Sequence, residues 1–300
     1  MMRKRFAHST LFTVLIFVSS LACNYSQAGD FEKSFRQQVV TFLDSLDADQ
    51  QKLCLLPLKD KNRWHMQYTG GKRPGLEIKS LNETQQKHME KALRMVLSDH
   101  GWDMANKVAA QDGEQKLGKY FLTCFGDPRK GGDYAFRLAE HHLTVVHLEV
   151  AKGEASEFGP ILLGANPPDL WKADEKAIMD VWKAIKNDKV LIKSKAGIAS
   201  KPMPENEGML FTELNANAQA ALKSAWSQRI SIFQPAIQKR INKLHKARGG
   251  WEKSRVAYYK EAAEKRCADG GRWDFKCGLP GMVWDYEASR GHIHTSLWVK

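Results

Sequence analysis

The apolar run from Thr10 to Ala22 falls short of the roughly 20 residues that a bilayer-spanning helix needs. Cysteine is scarce, five in 300 residues, and no pair has zinc-finger spacing. A Gly-x-Ser-x-Gly elbow, a Walker loop, a dinucleotide fingerprint and a His-Glu-x-x-His motif are all missing. Those absences argue against the common nucleotide-binding and serine-hydrolase classes. Acidic side chains are outnumbered, 34 against 46 basic ones, for a net charge of +12. The lysines are nevertheless scattered among acids, without the aromatic-interleaved basic groove that nucleic acids require. No nucleic-acid partner is expected, although a basic exported protein can adhere to anionic polymers or surfaces.

What is there begins with a leader. Arg3-Lys4-Arg5, the apolar run and the small-x-small triplet Ser26-Gln27-Ala28 predict a signal peptide over residues 1–28 and an exported mature chain. The leader holds three of the positive charges and no negative one, leaving +9. Cys23 after Ser20-Leu21-Ala22 offers a rival reading, a lipid anchor, and only that reading brings a membrane partner. Four cysteines remain in the mature chain. Outside the cytoplasm an even count suggests disulfides. Cys267 and Cys277 flank a turn-rich segment, and Cys54 with Cys124 follows by elimination. The alternative for Cys54 and Cys124 is a pair of free, buried thiols.

Periodicity divides the mature chain into helices and strands. Phe31 to Leu46, Thr84 to Ser98, Trp102 to Leu117, Asp174 to Ile185 and Ala218 to Lys246 carry helical spacing, with Pro235 breaking the last. Gly101 reads as a C-cap. A short echo recurs at Leu46-Asp47, Leu81-Asn82 and Leu214-Asn215, each with glutamine five residues after the leucine; Asp or Asn there is a helix N-cap. Tyr120 to Phe125 and Tyr134 to Val150 read as a strand and its hairpin partner, Glu157 to Gly164 as a further strand, and Met282 to Tyr286 with His292 to Val299 as a closing hairpin. Trp251 to Lys265 suits strand or helix. The lysine-rich segment 186–207 reads as a connector. The pattern predicts one α+β domain over residues 29–300, with a mainly antiparallel central sheet and flanking helices.

Histidines supply the chemistry. His141 and His142 sit in an unbroken apolar run that reads as one buried strand, Phe136 to Leu148. His292 and His294 lie two apart, so on a strand they share a face and can grip one ion. On a continuous strand His142 would share a face with Thr144 and Val146. His141 would then fall with Leu143, Val145 and His147 on a core face, as a core or supporting group. His65 beside Trp64 is a candidate further ligand. Asp285 and Glu287 could orient imidazoles or act as general bases, and Arg137 could orient a substrate carboxylate or pair with an acid. Asn166 before Pro167 suits a chain turn.

Several short motifs fall in one order. These are Trp64-His65 with Tyr68, Arg73-Pro74-Gly75, Leu81 with Gln85-Gln86, Leu97-Ser98 with Gly101, and Phe125-Gly126. They continue through Arg137, His141-His142-Leu143, Gly164-Ala165-Asn166-Pro167, Asp285-Tyr286-Glu287 and His292-Ile293-His294-Thr295. That order resembles the bacterial secreted family catalogued as domain of unknown function 3500, over nearly the whole mature chain. The resemblance implies export and a shared double histidine and terminal His-Ile-His, with no assigned activity. Where members carry Glu-Gly before the double histidine, this chain has Ala139-Glu140.

Two functions fit these residues. In the first, His142, His292 and His294, with His65 and His141 as further candidates, hold zinc, or alternatively copper or iron. The chain is then a metal-dependent enzyme, hydrolytic in its simplest form, acting on a small-molecule or polymer substrate. Asp285, Glu287 and Arg137 would assist. In the second, the chain is a non-enzymatic module of the cell envelope whose histidines and Arg137 take an anionic or carbohydrate ligand, with Trp64, Trp284 and Trp298 as stacking surfaces.

Overall fold

The repeated leucine–Asx steps start helices because a short side-chain oxygen satisfies the free amides of a first turn. The structure, a computed structural model, describes residues 30–66, 69–111, 113–149, 161–165, 168–185, 187–192, 201–259, 274–289 and 292–299. Helix α1 covers residues 30–44. Asp47 caps α2 (Ala48–Cys54), Asn82 caps α3 (Glu83–Val96) and Asn215 caps α6 (Ala216–Ile230). Gln51, Gln86 and Gln219 each donate from Nε2 to the carbonyl of the leucine five residues back, at 3.0, 2.9 and 3.0 Å. A fourth case opens α7 (Pro235–Ala247), where Gln238 donates to the Phe233 carbonyl at 2.8 Å. The remaining helices are α4 (Asp99–Gln111) and α5 (Lys172–Ile185).

The strands are β1 (Leu55–Leu56), β2 (Leu76–Glu77), β3 (Phe121–Phe125), β4 (Tyr134–Glu140), β5 (Leu143–Glu149), β6 (Ile161–Ala165), β7 (Leu191–Ile192), β8 (Met209–Leu210), β9 (Arg255–Tyr259), β10 (Asp274–Leu279), β11 (Met282–Ser289) and β12 (His292–Val299). They form one sheet in the order β1-β3-β4-β5-β6-β12-β11-β10-β9-β7, with β2 added to β3 and β8 to β9. Only β1·β3 and β7·β9 are parallel among these pairs. The α+β class with a mainly antiparallel sheet is therefore what the chain adopts.

The strand order is a palindrome of two repeated halves. β1, β2, α3, α4 and β3 to β6 recur as β7, β8, α6, α7 and β9 to β12. Registers recur with them. Leu55 and Leu76 face Cys124 and Leu122 on β3, as Leu191 and Met209 face Tyr258 and Val256 on β9. A Cβ on Gly75 would lie 2.4 Å from the Leu122 carbonyl oxygen, and one on Gly208 2.2 Å from that of Val256. The halves also meet at their helix pairs, where Ser98 N donates to Ile232 O at 2.8 Å and Gln234 N to Val96 O at 2.9 Å.

The helices cover one face of the sheet. Phe136, Leu138, Val145, Trp284, Ile293 and Leu297 point into that core, with Phe35, Leu93, Ile178 and Leu222 from the helices. The opposite face carries small apolar clusters, Val146 and Phe125 with Leu56 and Leu58, and Ala257 and Tyr259 with Met203. Between them runs a buried polar row that includes Thr123, Arg137, Thr144, Lys276, Asp285 and Ser296.

Several expectations change. α3 ends at Val96 and Gly101 is no cap: it sits in the first turn of α4, where a Cβ would lie 1.9 Å from Ile232 O. Trp251 to Lys265 begins with a 3-10 turn and strand β9. Cys54 and Cys124 are free, buried thiols, and each bonds to backbone, Cys54 at Cys124 and Cys124 Sγ to Gly126 O at 3.3 Å. Cys277 is also free and buried in the core, and its expected partner Cys267 lies outside the described residues. So do the leader with Cys23, Tyr68, Asn166 and the first part of the strand expected over 157–164.

Two outcomes follow from the packing. Gly101→Ala gains up to about 1 kcal/mol of helix propensity but collides with backbone, which costs about 1–3 kcal/mol. Urea denaturation is expected to show net destabilisation, and a more stable variant would mean that α4 is not held this close to Ile232. His245 on α7 is buried, with Nε2 3.1 Å from Ser254 Oγ and its ring edge-on to Trp251 at 4.9 Å. Burial lowers its pKa, although a hydrogen bond at the Gly250 backbone opposes this. As pH falls through the unfolded value near 6.5, the unfolded chain takes up the proton first, so this stability is present above that pH and lost below it. Lowering pH from about 7.5 to 5.5 is expected to cost the wild type more stability than His245→Gln; equal losses would remove His245 as a source.

Candidate metal centre

The apolar run from Phe136 to Leu148 is a hairpin, which corrects the single-strand reading. β4 ends at Glu140, His141 and His142 form the turn, and β5 starts at Leu143 directly opposite Glu140. Both strands are buried along their length, so no alternation marks the break, and the turn contains no Gly, Pro or Asn. His142 instead adopts φ 58°, the left-handed region that residues with a Cβ seldom enter. In the second half the matching turn is Pro280-Gly281, and Gly281 takes φ 68° there. A histidine held where its counterpart is glycine is local strain of the kind that gathers at functional sites.

Backbone pairing then sets the neighbours. The His142 carbonyl accepts from Gly164 N at 2.8 Å. Gly164 stands opposite His294, and His294 opposite Glu287. His142, Gly164, His294 and Glu287 thus form a row across the sheet, on the face away from the helices. A Cβ on Gly164 would lie 2.7 Å from His142 Cδ2 and 2.9 Å from His294 Cδ2, so the missing side chain makes room for both rings.

Three nitrogens converge over that glycine. His142 Nε2 is 2.5 Å from His292 Nε2, which is 2.9 Å from His294 Nε2. Their ligand atoms all lie within 4.8 Å of one another, a group that can hold a metal ion. Glu287 Oε2 stands 3.4 Å from His294 Nδ1, and a proton on Nδ1 leaves the Nε2 lone pair facing the cluster. His141 stacks on His142, ring centroids 3.7 Å apart at 25°, and its carbonyl accepts from Tyr120 Oη at 2.7 Å. Burial, reinforced by His141, His292 and His294, pulls His142 down to about 3. Burial also lowers His292, with His294 and His141 adding to it. Both rings are therefore neutral at pH 7, the form that binds metals.

The other candidates separate from this cluster. His65 is exposed and outside the three-nitrogen group; its carbonyl, not its ring, accepts from Arg137 Nη2 at 2.7 Å. Arg137 lies further along β4, opposite Val146. Asp285 stands opposite Ser296, one strand repeat away from His294. It pairs with Lys276 at 3.2 Å and accepts from Ser296 Oγ at 3.4 Å, so its carboxylate serves that pair and not the imidazoles. Trp284 is buried in the helix-side core, and Trp298 packs on Trp64 with centroids 5.8 Å apart, so neither offers an open stacking surface. Gly164 belongs to one of the ordered motifs, but its part in the site follows only from its place in the strand, where a glycine among apolar residues signals close approach of another group. His141, but none of the three clustered histidines, lines a cleft of about 620 Å³ together with Gly70, Gly71, Lys72, Lys119, Glu140 and others.

The family model described as "Protein of unknown function (DUF3500)" matches residues 29–191, more than half of the chain. The chain belongs to the DUF3500 family. In this DUF3500 protein the matched segment contains Arg137, the His141-His142 turn and Gly164, whereas Glu287, His292 and His294 lie beyond its end. No curated protein and no solved structure matches the chain.

Gly164→Ala tests the row directly. The added methyl must displace His142 or His294, and overpacking of this kind costs about 1–3 kcal/mol. Histidine ring resonances are expected to shift for His142 and His294 together, with a lower melting temperature. Unchanged ring signals would show that the rings do not share the space over Gly164.

Proposed function

We propose that this DUF3500 chain is an exported metal-dependent hydrolase in which His142, His292 and His294 hold zinc. The observation that supports the reading is the convergence of three imidazole Nε2 atoms over Gly164. Zinc binds imidazole nitrogen at about 2.0–2.1 Å, which spaces tetrahedral ligands by about 3.3 Å. The observed separations of 2.5 and 2.9 Å need only a small outward movement of the rings. Imidazole ligands do not discriminate sharply among metals, so copper or iron with an oxidative reaction is the alternative chemistry. With only three protein ligands, a metal held by His142, His292 and His294 would keep a position open for water, which it would activate.

The chain's own residues have complementary tasks. Glu287 fixes the orientation and basicity of His294 through Nδ1. His141 braces His142 and forms part of the cleft wall. Residues 1–28 direct export in this reading.

Metal analysis of protein made without a histidine tag is the test. About one equivalent of metal per chain is expected, lost in the double variant His292→Ala/His294→Ala while the apo fold persists. A chelator should then lower the melting temperature of the wild type and leave the double variant unmoved. Glu287→Gln should weaken binding about 10–100-fold. Failure to load zinc, copper or iron, or equal chelator sensitivity in both proteins, would overturn the site. Stoichiometric metal without turnover of ester, amide or phosphoester probes would replace the hydrolase by a metal-binding module.

A further inference from the structure

The structural repeat provides an internal control for the buried polar row. On β10, Lys276 faces Asp285 of β11 across the pair, and the two form an ion pair of 3.2 Å. Lys276 is 1% exposed, and it also donates to the Lys201 carbonyl at 3.4 Å. The matching residue of the first half is Arg137 on β4, because β4 and β10 end at equivalent two-residue turns. Arg137 is equally buried and likewise donates to a carbonyl of the covering segment, that of His65. Opposite it, however, where the second half has Asp285, stands Val146.

The consequence is a buried guanidinium without its acid. Arg137 Nε and Nη1 have no hydrogen-bond partner among the described residues. Asp60 is close enough to raise its pKa, but forms no ion pair with it, and Asp60 Oδ1 accepts from Asn62 N and Nδ2, both at 2.8 Å. A second buried arginine, Arg73, adds to the imbalance. The carboxylate near it is Glu140 at 3.9 Å, which also accepts from the amides of Gly71 and His141. Burying a charge without a partner costs several kcal/mol, and a guanidinium is shaped to bind a planar or tetrahedral oxyanion through two N–H groups.

We propose that Arg137 is an anion seat: its Nε–H and Nη1–H bind an oxyanion, the carboxylate or phosphate group of a ligand, which supplies the negative charge that Asp285 supplies to Lys276. The seat lies on the same sheet face as the histidine cluster, separated from it along β4 and β5 by the small residues Ala139 and Thr144. It does not depend on a metal being bound.

The test uses the full mature chain, as purified and again after chelation, with acetate and inorganic phosphate as probes and chloride at matched ionic strength as reference. Arginine side-chain NMR follows the Arg137 Nε–H signal, identified by its loss in Arg137→Lys. Saturable movement of that signal with acetate, phosphate or both is expected, the two probes separating carboxylate from phosphate. Val146→Asp supplies from within the carboxylate that the second half possesses. It should weaken probe binding at least about tenfold, the equivalent of one charge-assisted hydrogen bond. No saturable shift in the wild type, a shift that chloride reproduces, or undiminished binding in a folded Val146→Asp would overturn the proposal. If Val146→Asp does not fold, the wild-type titration decides alone. Loss of metal on chelation with the anion response intact would separate this seat from the histidine centre.

Discussion

The hydrogen-bonded seam between β6 and β12 is the constraint on which the rest depends. It joins two copies of one arrangement into a continuous sheet, and five residue pairs from Ile293–Ala165 to Leu297–Ile161 set its register. Side chains alternate between faces along a strand, so a slip of one residue would turn His292 and His294 into the helix-covered core. It would also bring Ile293, Thr295 and Leu297 out of that core. Apolar burial on one face therefore enforces the position of the polar groups on the other. The histidine centre is a by-product of that register: His142 and Gly164 come from one half, His292 and His294 from the other.

The repeat also shows where the two halves differ. Their helix starts, entry glycines and edge strands coincide, which is what a shared packing solution demands. They part at the turn after β4 or β10 and at the residue facing the buried cation. One half has Pro280-Gly281 and a closed Lys276–Asp285 pair, a relaxed turn and a neutralised charge. The other has His142 at positive φ and Arg137 opposite Val146, both unfavourable for folding alone. Both departures lie on the same hairpin, beside the place where the second half brings His292 and His294 against it.

Covering that face is a segment tied to the sheet at several points. Thr123 Oγ1 donates to Pro74 O at 2.7 Å, Gly71 N donates to Glu140 Oε1 at 2.5 Å, and Arg137 holds the His65 carbonyl. The Trp64–Trp298 contact fixes its far side to β12. Excluding water from the polar row strengthens each charge interaction beneath it and raises the cost of any charge left unmatched.

Local chemistry in the sequence was enough for the helix starts, since an Asx side chain and the amides it caps lie within three residues. It was enough for the α+β class, because long amphipathic helices and apolar strands require a layered core. The His292–His294 pair was legible for the same reason, as period two on a strand is a property of neighbours. The hairpin at His141-His142 was not legible: both of its strands are buried on both faces, and no turn residue marks it. The Cys54–Cys124 disulfide read from an even cysteine count gave way to two free, buried thiols, and Asp285 went to Lys276, a residue whose alignment with it depends on strand register. Only the tertiary structure put His142 against His292, 150 positions away. A left-handed histidine is tolerable only where the backbone of Gly164 docks it and the absence of a side chain there leaves its ring a place.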